Sequence, residues 1–172
     1  MRPSYLLLKG PMGIGKTATA QKLGKQLAWP VIDKDDASDV LIGKLEPHGK
    51  YAYEIMFAYA ESLLSQGFSV IVDSPMRSDI SYKKAASFAE EHGVELKVLE
   101  LYCSDQSVWA DRLEKRNRRK AHVIKNWQDF EAYWQKAEDD FSYPIKHSLL
   151  KIDTLNPIEE NIRQVSDWLN KT

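Results

Sequence analysis

The sequence predicts an α/β protein in which helices cover both faces of a five-stranded parallel sheet. Apolar segments of strand length alternate with segments of helical periodicity along the whole chain, which is the pattern of repeated strand–helix–strand units. The segment Phe68–Val72 is almost continuously apolar and ends in Asp73, as expected for a central strand buried on both faces. A chain of 172 residues, 43% of them hydrophobic and without an internal repeat, has the size and the core of one domain.

The individual strands and helices follow from apolar periodicity and from capping residues. Strands are predicted at residues 4–9, 31–33, 68–73, 95–102 and 149–152. Helices are predicted at 16–27, through 40–41, at 51–66, from a cap at Ser78 to 91, after a cap at Ser104 or Asp105 through 116, at 127–138, and from 157 to about 169. Gly67 and Gly93 stand where a left-handed residue ends a helix. Residues 46–49 are predicted as a loop, and Asn156 as the N-cap of the last helix with Pro157 at its first position.

The chain is organised around the segment Gly10–Thr17, which fits the pattern G-x-x-x-x-G-K-[ST] between a predicted strand and a predicted helix. Its glycines lack a Cβ, so the backbone can direct several N–H groups and the helix N-terminus at one anion. Lys16 supplies a charge for the β- and γ-phosphates, and the Thr17 hydroxyl is a ligand for Mg²⁺. The alternative is a glycine-rich turn with a solvated lysine, but the flanking elements favour a nucleoside-triphosphate site. The residues assigned to the nucleotide are Gly10, Pro11, Met12, Gly13, Ile14, Gly15, Lys16, Thr17 and Ala18.

Carboxylates follow the second and third predicted strands, whose carboxyl ends lie at the ligand-binding edge of such a sheet. Asp73 ends a buried strand, as a metal-binding carboxylate does beside a phosphate loop, and we assign it to Mg²⁺ together with Thr17. Asp33 is expected to face the metal, while Asp35 or Asp36 lies where an acceptor would bind. Asp35 is expected to orient or deprotonate the acceptor hydroxyl. The alternative for each is structural, because aspartates at strand ends also cap turns and helices.

A basic segment, residues 112–120, contains Arg112 and Arg116 one helical turn apart on the same face. Such a pair can divide its work, with one guanidinium stacking on a purine and the other neutralising a phosphate oxygen. Two alternatives stay open for this segment: a solvated basic surface, and contacts with a nucleic-acid backbone.

The region of the predicted helix 127–138 is rich in aromatic side chains. They are Trp127, Phe130, Tyr133, Trp134, Phe141 and Tyr143. Residues 127, 130 and 134 fall on one stripe, which indicates a packing face or, as the alternative, a stacking surface for the acceptor. The four histidines have no metal-ligand spacing and receive no role.

Composition limits the partners of the protein. The formal net charge of −1 gives no sign of a polyanion-binding protein. The single cysteine, Cys103, excludes an internal disulfide and fits a reducing compartment. The first strand begins too early for a signal peptide, and no apolar run approaches the roughly 20 residues that cross a bilayer. We therefore expect a cytoplasmic protein without a membrane partner, as a monomer or a homodimer.

With these residues, the chain resembles the small P-loop kinases, which include adenylate, gluconate and shikimate kinases and the zeta-toxin-like ATP-binding proteins. The resemblance covers nearly the whole chain. It is carried by the phosphate loop, by Asp33-x-Asp35, and by Arg112-x-x-x-Arg116 at the start of a lid. It implies the sheet order 2-3-1-4-5, an adenine contact by Arg112, a phosphate contact by Arg116, and a lid at about residues 116–126 that closes over ATP.

The resemblance also implies a second wall of the adenine pocket and limits the acceptor. Residues 152–157 resemble the loop that lines that pocket, so Asn156 and Pro157 are assigned to it. The glycine-rich turn that shikimate kinases have after the third strand is replaced here by Asp73–Met76. Residues 37–50 contain no arginine, unlike the monophosphate-binding segment of adenylate kinases. Arg77 is either a ligand for an anionic acceptor or a surface residue.

The residues and the resemblance together predict a kinase that uses ATP and Mg²⁺ to phosphorylate a hydroxyl group of a small molecule. Lys16 and Arg116 are expected to neutralise charge on the γ-phosphoryl group while Asp35 acts on the acceptor hydroxyl. Two other functions stay open: a kinase of polynucleotide 5′-hydroxyl groups, and a nucleotide-binding regulator without transfer. The sequence determines neither the acceptor nor the preference between ATP and GTP.

Overall fold

The strands of the computed structural model form one parallel sheet, as the sequence predicts. The structure describes residues 2–135 and 142–171. Within these residues the strands are β1 (Ser4–Lys9), β2 (Val31–Asp33), β3 (Val70–Asp73), β4 (Glu95–Tyr102) and β5 (Ser148–Asp153). Their order across the sheet is β2-β3-β1-β4-β5, which confirms the order implied by the resemblance. Because β1 pairs with both β3 and β4, the phosphate loop that follows it lies in the middle of the carboxyl edge.

Helices cover both faces of this sheet, and each face has its own core. In the described part of the chain the helices are α1 (Lys16–Leu27), α2 (Lys34–Leu41), α3 (His48–Ser65), α4 (Asp79–His92), α5 (Gln106–Lys115), α6 (Trp127–Gln135) and α7 (Ile158–Leu169). Successive strand residues point to opposite faces. Tyr5 and Leu7 therefore pack with α3 and α4, whereas Leu6 and Leu8 pack with α1 and α7. The central strand is fully buried on both sides, which fixes the position of the loop that follows it.

A third, smaller cluster lies between α5, α6 and the lid, residues 116–126. Leu113, Ile124 and Phe130 form its buried centre, and Trp127 and Trp134 pack against it. The aromatic stripe of α6 is therefore a packing face, as predicted. The helix is described to residue 135, so the predicted residues 136–138 and Phe141 lie outside the described residues.

Several predicted ends differ from the observed ones. Helix α3 begins at His48, so part of the predicted loop 46–49 is helical; the carbonyl of Pro47 accepts from the amides of residues 50 and 51 and starts the helix early. Strand β3 begins at Val70, because the amide of Phe68 bonds back to the carbonyl of Leu63 at the end of α3.

The caps differ as well. Asp105, not Ser104, caps α5 by accepting from the amides of Ser107 and Val108. The prediction of Asn156 as the cap of α7 is wrong, because Pro157 occupies that position and no side chain caps the helix. Arg116 ends α5 instead of continuing it.

In the described residues, no helix combines the length and the apolar character that crossing a bilayer requires.

Candidate active site

A cavity of about 1170 Å³ lies at the carboxyl ends of β1, β2 and β3, beneath the lid. It collects residues that are far apart in the chain. The predicted site residues in its lining are Pro11, Met12, Gly13, Ile14, Gly15, Lys16, Thr17, Ala18, Asp33, Asp35, Asp73, Arg77, Arg112, Arg116, Asn156 and Pro157. Gly10 and Asp36 are outside the lining. The structure thus brings the predicted nucleotide residues and the predicted acceptor residues into one space.

The phosphate loop has a backbone shape that its glycines make accessible. Gly10, Gly13 and Gly15 have φ values of 143°, 80° and 99°, in the region that side chains with a Cβ rarely adopt. A Cβ at Gly13 would also lie 2.8 Å from a side-chain atom of Leu113 in α5. Helix α1 begins at Lys16, so its free N–H groups and its dipole face the loop. The loop therefore has the geometry of an anion site.

Lys16 is buried in this loop, and its ammonium donates to the carbonyl of Pro11 at 2.7 Å. Burial lowers the pKa of Lys16 to about 8, although the nearby carboxylates of Asp73 and Asp35 partly oppose the shift. A phosphate in the loop would favour the charged form again. Lys16 is thus placed to neutralise negative charge on a bound triphosphate.

Asp73 provides the test of whether these residues suit Mg²⁺. Its side chain is buried at the end of β3, and burial raises its pKa against the opposing effects of Lys16 and of a hydrogen bond from Thr17. Its Oδ2 atom has no hydrogen-bond partner among the described residues. Within the same residues there is no group of three or more metal-binding side chains. A single carboxylate with a hydroxyl and substrate phosphates is the usual protein contribution to a Mg²⁺ site, so Asp73 and Thr17 fit this ion.

Asp33 is opposite Asp73 in the β2–β3 register, and both of its oxygens are in use. Its Oδ1 accepts from the amide of Asp35 at 2.8 Å and so caps α2, and its Oδ2 accepts from Arg119 at 2.7 Å. Burial and then the charge of Asp73 raise the pKa of Asp33 to about 6. The structural alternative that the sequence allowed for Asp35 and Asp36, capping of α2, is thus fulfilled by Asp33.

Asp35 has the opposite electrostatic environment. Its carboxylate is 2.7 Å from Lys34 and 3.5 Å from the imidazole of His122. Burial would raise the pKa of Asp35, but the hydrogen bonds from His122 and Lys34 outweigh it and hold the pKa well below its ordinary value. Asp35 is therefore a poor proton acceptor at neutral pH and a good orienting group for a hydroxyl. A pKa near the working pH, as at Asp33, suits a general base better.

The two predicted arginines, Arg112 and Arg116, bond to different parts of the cavity wall. Arg112 donates to the hydroxyl and the carbonyl of Thr154, at 3.1 and 2.9 Å, and so lies beside the β5–α7 loop that also contains Asn156. Arg116 donates to the carbonyl of Ile124 at 2.8 Å, while its buried Nε has no partner among the described residues. These positions agree with a division between the nucleoside end and the phosphate end, and the individual roles stay predictions.

Sequence reasoning gave no separate role to Arg119 and none to His122. Arg119 contacts Asp33, Asp36 and Asp39, and His122 contacts Asp35. These partners are 80 or more residues away in the chain, and no local sequence pattern indicates such pairs. Arg77 donates to the hydroxyl of Tyr133 and lies over its ring, and both residues line the cavity, so α6 also contributes to its wall.

Residues 6–136 match the protein family described as AAA domain. The chain belongs to this family. The AAA-domain segment contains the phosphate loop, the carboxylates after β2 and β3, and the whole lid. No curated protein matches the sequence.

Solved structures share the fold of this AAA-domain protein over nearly its whole length. A protein from Chloroflexus aurantiacus, provisionally assigned as a kinase, is 20% identical with a TM-score of 0.75 and covers 98% of this chain and 96% of its own. A sugar kinase from Janibacter sp. is 15% identical with a TM-score of 0.71, covering 98% and 95%. The APS kinase of Mycobacterium tuberculosis in complex with AMPPNP and APS is 16% identical with a TM-score of 0.71, covering 99% of each chain. The fold is that of the small P-loop kinases.

Proposed function

We propose that the protein is a kinase that transfers the γ-phosphoryl group of ATP, with Mg²⁺, to a hydroxyl group of a small molecule. One observation carries this proposal: the phosphate loop with Lys16 and the carboxylates of Asp33 and Asp35 line the same cavity. A hydrolase needs a group that orients the attacking water, whereas the wall of Asp33 and Asp35 belongs to a cavity that extends further, to Arg77 and Tyr133. The likeness to a sugar kinase and to an APS kinase supports the same class of reaction.

The size of the cavity supports two ligands. Ligand pockets for one small molecule are commonly about 300–1,000 Å³, and this cavity of about 1170 Å³ exceeds that range. The nucleotide would occupy the side of Arg112 and the β5–α7 loop. The acceptor would occupy the side of Asp35, Arg77 and Tyr133, which the lid covers.

The residues of this chain divide the work of an in-line transfer. Lys16 and Arg116 stabilise the negative charge on the γ-phosphoryl group. Thr17 and Asp73 would hold Mg²⁺, which supplies further charge neutralisation between the phosphates when bound. Asp35 orients the acceptor hydroxyl and Asp33 accepts its proton, as the acceptor oxygen bonds to phosphorus and the bond to the leaving oxygen of ADP breaks.

A polynucleotide acceptor is less well supported, because most cations of the basic segment have intramolecular partners. Arg118 donates to the carbonyl of Lys125, Arg119 is bonded to three aspartates, and Lys115 pairs with Asp111. A surface that binds a phosphodiester backbone needs cations that are available to it. We therefore infer a small acceptor.

The direct test is a screen of hydroxyl compounds for acceptor-dependent release of ADP. Transfer to one class of small molecule, lost in Lys16→Ala and retained in Lys22→Ala, is the expected result; Lys22 lies on the same helix, outside the cavity lining. Slow ATP hydrolysis that no acceptor changes would instead favour the regulator. Transfer to 5′-hydroxyl oligonucleotides that falls steeply with added salt would favour the polynucleotide kinase.

A further inference from the structure

Four short hydrogen bonds join the lid to helix α2 and to its N-cap residue, Asp33. The guanidinium of Arg119 donates to Asp39 at 2.9 Å, to Asp33 at 2.7 Å and to Asp36 at 2.7 Å. The backbone amide of Ala121 donates to the other oxygen of Asp39 at 2.7 Å. We call this set of contacts the lid latch. All three nitrogens of one guanidinium are used, which is the geometry in which arginine cannot be replaced by lysine.

The latch is continuous with the acceptor side of the cavity. The amide of Arg119 donates to Nδ1 of His122 at 3.2 Å, so the neutral ring carries its proton on Nε2. That nitrogen is 3.5 Å from the carboxylate of Asp35. Lid residues therefore contact Asp33 and Asp35, which line the cavity, as well as Asp36 and Asp39, which do not.

The position of these contacts decides what the latch can do. The lid is attached to α2, the helix that follows the acceptor-side strand β2, and within the described residues none of the four bonds reaches the phosphate loop. The Arg119 and Asp39 side chains are about three-quarters buried, with 28% and 26% exposed. Isolated exposed ion pairs contribute little, but this one is partly buried, multiply bonded and supported by a backbone amide.

We propose that Arg119 and Asp39 are positioning residues that hold the lid on α2, fix the orientation of Asp33 and Asp35, and exclude water from the phosphates. The positioning part rests on the proposed transfer reaction. Asp39 lies outside the cavity lining and contacts neither the nucleotide loop nor the carboxylates that face it. It therefore acts on the reaction only through the lid.

Loss of the latch has three consequences, and a general loss of stability would not produce all three together. The ligand-free lid becomes accessible to trypsin, which cleaves after Arg118, Arg119 and Lys120. Water reaches the γ-phosphate more often, so ATP hydrolysis without acceptor rises relative to transfer. The acceptor KM rises because Asp33 and Asp35 are less well fixed, while the affinity for ATP changes little because the phosphate loop is intact.

Asp39→Ala tests the proposal, with Asp79→Ala as the matched control. Asp79 is also a helical aspartate in an ion pair, with Lys83, but on α4 and away from the lid. We expect trypsin cleavage within residues 116–126 to accelerate about tenfold in Asp39→Ala, in line with the loss of a charge-assisted hydrogen bond. The ratio of hydrolysis to transfer and the acceptor KM should rise by a similar factor, with the Kd for ATP within about twofold of the wild type.

A conservative variant separates latch loss from misfolding. Asp39→Asn keeps an acceptor for the amide of Ala121 but loses the charge that Arg119 binds, so its effects should be intermediate. Equal cleavage rates in the wild type and both Asp39 variants would overturn the proposal. Faster cleavage with unchanged hydrolysis, transfer and KM would overturn the positioning role. If no acceptor is phosphorylated by the wild type, the proposed function fails by itself, and the cleavage and hydrolysis rates still decide the latch.

Discussion

ATP binding should be accompanied by protonation of Lys16. In the free protein the pKa of this buried lysine is about 8, and a triphosphate at the ammonium should return the pKa to its ordinary value or above. At pH 8.5 about a quarter of Lys16 is charged before binding and nearly all of it afterwards, so binding takes up about 0.75 proton. At pH 7 about nine-tenths is already charged, and the uptake falls to about 0.1 proton.

Calorimetry in two buffers with different ionisation enthalpies measures this uptake, since the observed heat changes with the number of protons that the buffer supplies. Lys16→Met should abolish the uptake at pH 8.5 and weaken ATP binding by about 10- to 100-fold, as expected for the loss of charge-assisted hydrogen bonds. Lys22→Met, which removes an exposed lysine of the same helix, should preserve both. ATP binding to the wild type at pH 8.5 without proton uptake would refute the reasoning, because the buried ammonium would then not face the phosphates.

Three further outcomes follow from individual residues. Gly13→Ala should weaken ATP binding in calorimetry, because the φ of Gly13 is 80° and a Cβ would lie 2.8 Å from a side-chain atom of Leu113 in α5. The control Gly43→Ala should leave ATP binding unchanged, because Gly43 has a similar φ of 77° but open space around it. Phe130→Ala should lower the free energy of unfolding in urea by about 3 kcal/mol, whereas the exposed Tyr59→Ala should cost less than about 0.5 kcal/mol. Burial and a neighbouring carboxylate raise the pKa of Asp33 to about 6, so its protonation stabilises the folded protein as the pH falls below 6. Asp33→Asn cannot take up this proton. The free energy of unfolding of the variant minus that of the wild type should therefore be about 2 kcal/mol lower at pH 4.5 than at pH 8. The same difference at both pH values would contradict the raised pKa.

The phosphate loop could be predicted in full because its signal is local. Eight consecutive residues contain the glycines that permit the curved backbone, the lysine and the hydroxyl, and the flanking strand and helix are visible from periodicity. The same locality explains the correct positions of α1, β4 and Gly93 at the end of α4. Capping was less predictable: Asn156 has the preferred side chain for an N-cap, yet Pro157 takes that position because the turn after β5 is fixed by contacts of Asp153 with the amides of residues 104 and 155.

The chain by itself thus determined the fold class, the nucleotide loop and the set of aspartates at the sheet edge. Only the tertiary structure decided how those aspartates differ. Asp33 and Asp35 are two residues apart and chemically identical, but burial beside Asp73 raises one pKa while His122 and Lys34 lower the other. Of the groups that make this difference, Lys34 is a neighbour in the chain, but Asp73 comes from another strand and His122 from the lid, more than 80 residues further along the chain. The pKa of a carboxyl group depends on its distance in space from other charges and on the exclusion of water. Neither quantity can be read from the spacing of residues along a sequence.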